Sequence, residues 1–164
     1  LNERHFDRLH YTSANGTDLW VGMTDKHVWE GGSSSTPDGH VFFPNIPTEE
    51  VFTSPHCERV DGVVYSALPL VRHGNKIDRF WLRFENGLVV DFDAEVGRDT
   101  LASILDTDEG ARRLGEVALI SKNTPIRETE TLFYDTLYDE TRAAIWRWVL
   151  VSPSATRRLR HDAG

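Results

Sequence analysis

The feature that most restricts the fold is a pair of alternating apolar runs on either side of Glu85-Asn86-Gly87. A period of two is typical of strands that bury one face, and a polar segment ending in glycine is typical of a hairpin turn. A three-residue loop would give the apolar pairs Phe84–Leu88, Leu82–Val90 and Phe80–Phe92. A two-residue Asn86-Gly87 turn would instead pair Leu82 with Asp91 and Phe80 with Asp93. Burial therefore predicts the three-residue loop.

The other predicted elements are strands in the middle of the chain, with short helices set apart from them. Strand-type residues fill 18–23, 59–71 and 116–120, and 131–138 has the same character. Apolar spacing predicts helices at 1–9 and 99–105, a helix at 107–113 capped by Thr107, and helical structure from Asp139 onward. These assignments predict an α+β fold, a largely antiparallel β-rich scaffold with a few short helices.

An irregular stretch rich in glycine, serine and proline runs from Glu30 to Pro55. The apolar groups Val41-Phe42-Phe43 and Val51-Phe52 interrupt it. Long loops in compact domains are commonly functional, and apolar anchors favour an ordered loop. We expect this loop to help form the wall of a substrate site. The serines at 33–35 lack the Lys-Ser/Thr of a phosphate loop, so the segment around them is interpreted as a linker.

Charge and composition exclude several classes of function. The 18 Lys and Arg residues face 26 Asp and Glu residues, which gives a formal net charge of −8 and argues against a protein that follows nucleic-acid phosphates. No apolar run approaches the roughly 18 residues of a membrane span. A lone Cys57 excludes an internal disulfide, so we expect a cytoplasmic protein. Because the chain opens with Leu1 in an apparent helix, we interpret it as a piece of a longer protein.

Three acidic residues are candidates for chemistry. Glu49 and Glu50 precede the apolar Val51-Phe52, and only one of two adjacent side chains in an extended chain can point inward. Glu116 follows a glycine and opens an apolar strand, where a carboxylate needs a partner or a metal ion. Ordinary salt bridges are the alternative, and spacing alone leaves the choice open. The adjacent His56 and Cys57 are interpreted as an exposed, inert thiol beside a histidine, although a cysteine hydrolase remains a third alternative.

Linked motifs along the chain resemble the thermophilic metallo-aminopeptidase family, of the aminopeptidase T and S type. The motifs are TPDG at 36–39, PNIPTEEVFT at 44–53, RVDGVV at 59–64, TDEGARRLGEVAL at 107–119 and LFYDTLYDE at 132–140. The resemblance runs from about Leu9 to Glu140 with the motifs in the family's order.

This resemblance implies a cytoplasmic, homodimeric exopeptidase that removes the N-terminal residue of peptide substrates with two divalent metal ions. The family's metal-ligating glutamates correspond to Glu50 and Glu116. Carboxylate and imidazole ligands suit zinc, cobalt, manganese or magnesium. We expect the two glutamates to lie close together in the fold.

The resemblance stops abruptly after Glu140. The family continues with Asn-Ala-x-x-His, whose histidine is a metal ligand, and then with a Leu-Ala-Leu-Gly-like run, whereas Ile145 stands at the histidine position here. Restoring one A before the Thr141 codon recovers this family string from possible codons. We therefore expect residues 141–164 to be an out-of-frame or disordered tail, which the nucleotide sequence would test.

The expected organisation is thus a partial catalytic domain of a larger two-domain enzyme at 1–140, followed by the tail. A chain of this kind should bind metal weakly and be inactive, because two carboxylates without imidazole partners make a poor dinuclear site. The alternative is a diverged, non-catalytic β-rich interaction module that has lost the site, with Trp20, Trp29 and Trp81 as its binding face.

Overall fold

The computed structural model describes residues 1–43, 50–72, 74–121, 123, 125–129, 131 and 133. Its strands are β1 (Arg8–Thr12), β2 (Asp18–Met23), β3 (Glu30–Gly31), β4 (Ser34–Ser35), β5 (Val41–Phe42), β6 (Glu50–Thr53), β7 (Pro55–Tyr65), β8 (Leu70–Arg72), β9 (Asn75–Glu85), β10 (Leu88–Val96) and β11 (Val117–Ile120). Its helices are α1 (Arg98–Leu105) and the single turn α2 (Pro125–Glu128). Across these residues, no helix combines the length and the apolar character that crossing a bilayer requires.

Two antiparallel sheets organise the described part of the chain. The larger sheet has the order β1-β2-β7-β9-β10, and β8 also pairs with β9. The smaller sheet has the order β11-β6-β3, while β4 and β5 form a separate two-stranded ribbon. Fully buried side chains such as Leu19, Val60, Leu82 and Phe84 alternate along the larger sheet with exposed ones, and Val117 of the smaller sheet joins the same core. The predicted β-rich, largely antiparallel fold is therefore confirmed.

The hairpin between β9 and β10 differs from the predicted three-residue loop. Asn86 and Gly87 both have positive φ, at 50° and 78°, which is the requirement of a two-residue type I′ turn, and Glu85 pairs with Leu88. A register shift between Val89 and Asp91 then leaves Val90 unpaired as a bulge. The bulge restores apolar pairing, because Leu82 lies opposite Phe92 and Phe80 lies opposite Ala94. The predicted three-residue loop was wrong because apolar pairing can also be kept with a two-residue turn when one strand contains an extra residue, which here is Val90.

The helix predicted at 1–9 is absent. Leu1 and Phe6 are exposed, and β1 begins at Arg8 and pairs with β2 along its whole length. The side chains of Leu9 and Tyr11 alternate towards the core, so strand pairing within the tertiary structure overrides the short helical pattern.

The helix predicted at 107–113 is replaced by successive turns. The Asp108 carboxylate accepts the backbone N–H of Gly110 at 2.8 Å, and the N–H of Arg113 donates to the Gly110 carbonyl at 2.9 Å. Such a side-chain bond to a nearby backbone N–H competes with helix formation, and Gly110 weakens a helix further. Arg113 then forms an isolated bridge with Leu88.

The other predicted elements have mixed outcomes. The strand at 18–23 is confirmed, the helix at 99–105 appears as α1, and the strand at 116–120 appears as β11. The strand expected over 59–71 is divided into β7 and β8, and β7 begins earlier, at Pro55. Most of 131–138 and all residues from Asp139 onward, the expected tail included, lie outside the described residues.

Candidate metal centre

Glu50 is the first residue of β6 and is only 5% exposed. In the β6–β11 ladder, Glu50 lies opposite Ile120, and Thr53 lies opposite Val117. A buried carboxylate is costly unless it has a polar partner or a metal ion. Glu50 therefore points inward, and Glu49 lies outside the described residues.

Glu116 directly precedes β11 and is half-buried, with its Oε1 atom out of contact with solvent. Continued by one residue, the ladder sets Glu116 opposite Ser54. Because side chains alternate along a strand and directly opposed residues share a face, Glu50, Phe52, Ala118 and Glu116 belong to one face of the two strands. The glutamates are offset by four positions along the ladder, or about 13 Å between their backbones at the usual rise of a strand.

The residues between the two glutamates are Phe52 and Ala118, which pair directly. Ala118 is buried and small, so little side-chain volume separates the glutamates on the β11 side. An extended glutamate places its carboxylate roughly 5 Å from its Cα by standard bond lengths. Because strand side chains stand roughly perpendicular to the sheet, the two carboxylates approach one another as far as both side chains lean along their strands.

This donor set fits divalent metal ions in part. Carboxylate oxygens suit magnesium, manganese and zinc, and metal binding offsets the cost of burying them. Among the described residues, no three or more histidine, cysteine, aspartate or glutamate side chains gather into a group that could hold a metal ion. Glu50 and Glu116 can therefore supply two ligands, and further ligands would have to come from outside the described residues.

The surroundings of Glu50 include a feature that the sequence did not reveal. Gly31, which was interpreted as part of a linker, pairs with Val51 in the β3–β6 ladder. A Cβ on Gly31 would lie 2.8 Å from Cγ1 of Val51 and 3.0 Å from the Glu50 carbonyl oxygen, so the close approach of these strands favours glycine. The glycine pair Gly31-Gly32 after Trp29-Glu30 was the available signal.

Three groups on or beside the larger sheet have shifted pKa values. The Arg59 guanidinium bonds to the Asp7 carboxylate and holds its pKa below the ordinary value, and the Lys76 ammonium does the same for the pKa of Asp78. Burial raises the pKa of the Tyr11 hydroxyl. Asp7 directly precedes β1, Tyr11 lies on β1, Arg59 lies on β7, and Lys76 and Asp78 lie on β9, so these groups belong to the scaffold around the larger sheet.

The geometry does not support the cysteine-hydrolase alternative. Cys57 is exposed, as expected, and Nδ1 of its neighbour His56 accepts the backbone N–H of Glu58 at 3.2 Å. Within the described part of the chain, no hydrogen bond joins a histidine to the Cys57 sulfur. A nucleophilic cysteine needs a base within hydrogen-bond reach.

The three tryptophans expected to form a binding face of an interaction module are not together on the surface. Trp29 is 6% exposed and belongs to the core. Trp20 stacks against His10 with ring centroids 3.9 Å apart, and the Arg8 guanidinium lies 4.6 Å from the Trp20 ring. The predicted face is therefore wrong because Trp29, in the segment just before β3, packs into the core.

Comparison with known proteins adds independent evidence on ancestry. The chain is 51% identical over 144 residues to aminopeptidase T of Thermus aquaticus, and 53% identical over 140 residues to aminopeptidase AmpS of Bacillus subtilis (strain 168). These matches cover 88% and 85% of the chain but 35% and 34% of the relatives, so the chain spans about a third of their length.

A solved structure gives the same result. Wild-type AmpT from Thermus thermophilus superposes with a TM-score of 0.84 at 49% identity, over 88% of this chain and 36% of that one. The profile of the family described as thermophilic metalloprotease (M29) matches residues 1–146. The chain therefore belongs to the thermophilic metalloprotease (M29) family.

Proposed function

We propose that this chain is part of a metal-dependent aminopeptidase, which hydrolyses the N-terminal peptide bond of peptide substrates, and that residues 1–140 belong to its catalytic domain. Support comes from membership in a metalloprotease family and from relatives named aminopeptidases at about half identity. The observation that carries the proposal is the placement of Glu50, nine-tenths buried, on the same strand face as Glu116.

The proposed role of Glu50 and Glu116 is to hold two divalent metal ions, which are zinc, cobalt, manganese or magnesium. The backbones of the two glutamates are offset by about 13 Å along the strands, and a glutamate side chain reaches roughly 5 Å from its Cα, so carboxylates that lean towards one another can bind one metal centre. The ladder between β6 and β11 fixes the relative position of the two backbones, which supports a shared role for the two side chains.

When bound, such ions polarise the scissile carbonyl and lower the pKa of a bound water molecule. The contribution of this chain is to position that chemistry. Glu50 brings a carboxylate into a site with little solvent, where electrostatic interactions are stronger than in bulk water. Between the glutamates, Ala118 contributes only a methyl group, and its partner Phe52 contributes an apolar ring on the same face.

The proposal extends to location and partners. A lone, exposed Cys57 is compatible with a reducing cytoplasm, where thiols persist. The net charge of −8 opposes binding to nucleic-acid phosphates. The resemblance to a dimeric family extends the proposal to a homodimer of the parent enzyme.

Hydrolysis by the complete gene product that contains this chain tests the proposal. Release of the N-terminal residue from a leucyl anilide should require an added divalent metal ion and should stop with a chelator. Glu50→Gln and Glu116→Gln should each lower kcat/KM by at least about 100-fold, since each removes a charged metal ligand while keeping the side-chain shape.

Glu109→Gln is the matched control, because Glu109 is exposed in the turns before β11. It should leave kcat/KM within about twofold of the unmutated value, as is usual for surface substitutions. Metal-independent hydrolysis, or full activity of both glutamate variants, would contradict the proposal. Calorimetric titration of each variant with zinc gives a second readout, in which Glu50→Gln and Glu116→Gln should bind more weakly than Glu109→Gln.

A further inference from the structure

His27 is a buried histidine in the segment between β2 and β3, and it is only 5% exposed. Its Nδ1 atom lies 2.7 Å from the carbonyl oxygen of Thr24. Because a carbonyl oxygen can only accept a hydrogen bond, Nδ1 carries the proton, and Nε2 of the neutral ring carries a lone pair. This Nε2 atom is out of contact with solvent and has no hydrogen-bond partner among the described residues.

A histidine ring in this state is prepared to bind a metal ion. The ion is bound by the lone pair of a neutral imidazole, and the other ring nitrogen of such a histidine commonly donates to a backbone carbonyl. A buried nitrogen that lacks a partner costs free energy, and a bound cation would offset that cost. The Thr24 carbonyl also accepts the backbone N–H of His27 at 3.2 Å, so this turn restrains both the backbone and the ring of His27.

A second histidine lies beside this ring. The ring centroids of His5 and His27 are 5.9 Å apart, with an angle of 75° between the ring planes. Two imidazoles on one zinc ion have ring centres roughly 5–5.5 Å apart, given Zn–N bonds of about 2.0–2.1 Å and tetrahedral angles. Because His5 is exposed, its side chain can rotate to close the small remaining difference.

Two further observations favour a defined position for His5. Its φ of 41° lies in the left-handed region, which residues other than glycine rarely adopt and which recurs at ligand-binding sites. The Asn2 side chain bonds to both backbone polar groups of Trp29, at 2.7 and 3.0 Å. The segment before β1 is therefore tied to the residues that directly follow His27.

We propose that His5 and His27 bind one zinc ion through imidazole nitrogens, with water molecules in its remaining positions, and that the ion joins the segment before β1 to the core. Imidazole nitrogen is a ligand that suits zinc, whereas magnesium and calcium prefer oxygen. An ion with two protein ligands is held less firmly than in a four-ligand structural site, so it exchanges with the solution. This site uses neither Glu50 nor Glu116, and the inference does not depend on the proposed function.

His5→Asn removes one of the two ligands at little expected cost to the fold. His5 is exposed, and asparagine is among the few residues that tolerate a left-handed conformation. His40→Asn is the matched control, because His40 is also an exposed histidine and its Nε2 atom lies 3.3 Å from the Asp38 carboxylate. His27→Gln is a second variant, and it removes the buried ligand.

The test counts the zinc ions bound to the complete gene product after equilibrium dialysis against buffered zinc. His5→Asn should hold one zinc ion fewer per chain than the unmutated protein, and His40→Asn should hold the same number as the unmutated protein. Zinc should raise the thermal unfolding temperature less in His5→Asn than in His40→Asn, because an ion that binds the folded state stabilises it. Magnesium should affect both variants equally. Ions at Glu50 and Glu116 contribute equally to both variants, so the difference depends on the histidines.

An unchanged zinc count in His5→Asn, with zinc raising its unfolding temperature as much as in His40→Asn, would overturn the inference. A folded His27→Gln protein that keeps the full zinc count would overturn it as well, because the buried nitrogen would then bind no ion. If His27→Gln does not fold, the comparison of His5→Asn with His40→Asn decides alone. Because zinc is counted directly, the result is independent of whether the protein hydrolyses peptides.

Discussion

Asp7 and Arg59 join the first segment of the chain to β7. One terminal nitrogen of Arg59 bonds to both carboxylate oxygens of Asp7, at 2.8 and 2.9 Å, and the other donates to the Met23 carbonyl at 3.2 Å. The guanidinium holds the pKa of Asp7 below its ordinary value. The folded state therefore prefers the ionised carboxylate, and this pair stabilises the fold only while Asp7 is ionised.

The effect of Asp7→Asn on stability should accordingly depend on pH. At pH 7 the variant should unfold at a lower urea concentration than the unmutated chain. The difference should persist down to the ordinary pKa of an aspartate and vanish as the pH falls through the lowered value, because both chains then lack the charge. Asp25→Asn, at another exposed aspartate, is the control and should show a smaller difference at pH 7. An Asp7→Asn effect of equal size at pH 7 and pH 2 would contradict the ion-pair account.

The chemistry of Glu50 and Glu116 could be predicted only in part from the residues themselves. An acidic residue beside an apolar run indicates that a carboxylate needs a partner, and motif resemblance assigned metal binding to these two. Their mutual placement could not be predicted, because 66 positions separate them and only the pairing of β6 with β11 sets them on one face.

At the level of elements, the turn between β9 and β10 depends on glycine at position 87. Gly87 has φ 78°, and its N–H donates to the Val60 carbonyl at 2.9 Å, which ties the hairpin tip to β7. A Cβ at this position would lie 1.9 Å from the carbonyl oxygen of Cys57 and 2.7 Å from Cα of Glu58. Both neighbours are backbone atoms, so an added methyl group must displace a strand.

Gly87→Ala and Gly74→Ala form a matched pair that separates this clash from backbone strain. Gly74 also has φ 78°, but no heavy atom lies within 4 Å of its Cβ position. Gly74→Ala should lower the free energy of unfolding by about 1 kcal/mol, the usual cost of a left-handed conformation for alanine. Gly87→Ala should cost at least about 2 kcal/mol more, because it adds the displacement of β7. Urea denaturation of both variants measures the difference, and equal costs would contradict the packing described for the turn.

Elements with strong periodicity were predictable, whereas elements decided by tertiary pairing, and the helix predicted from the Thr107 cap, were not. The helix α1 and the strand β2 carry their own patterns. The spacing of Leu1 and Phe6 is typical of a helix face, but both residues are exposed. The following residues instead form β1, which pairs with β2. The bulge at Val90 shifts the register between β9 and β10. A bulge can accompany either turn length, so the hydrophobic pattern does not predict it.

At the scale of the whole molecule, the larger sheet supplies most of the core and the smaller sheet presents the candidate site. Val117 and Trp29, which adjoin or belong to the smaller sheet, are buried in the common core. The face that carries Glu50 and Glu116 is the opposite one, because Val117 and Thr53 alternate with these glutamates along their strands. This arrangement gives the site a rigid support, as a preorganised metal site requires.

The fold class of the molecule was predictable from the sequence, because antiparallel strands require only local alternation of apolar residues and turns between them. The complete ligand set was not, since the described residues hold no group of three metal-ligating side chains. The proposed metal centre therefore requires that the carboxylates of Glu50 and Glu116 act on the same metal ions.

Anomalous diffraction at the zinc absorption edge, from crystals of the complete gene product grown with zinc, tests this most directly. The account predicts anomalous peaks within about 2.0–2.2 Å of carboxylate oxygens of both Glu50 and Glu116. Peaks bound only by other residues, with the two carboxylates held in ion pairs with arginine or lysine, would contradict it.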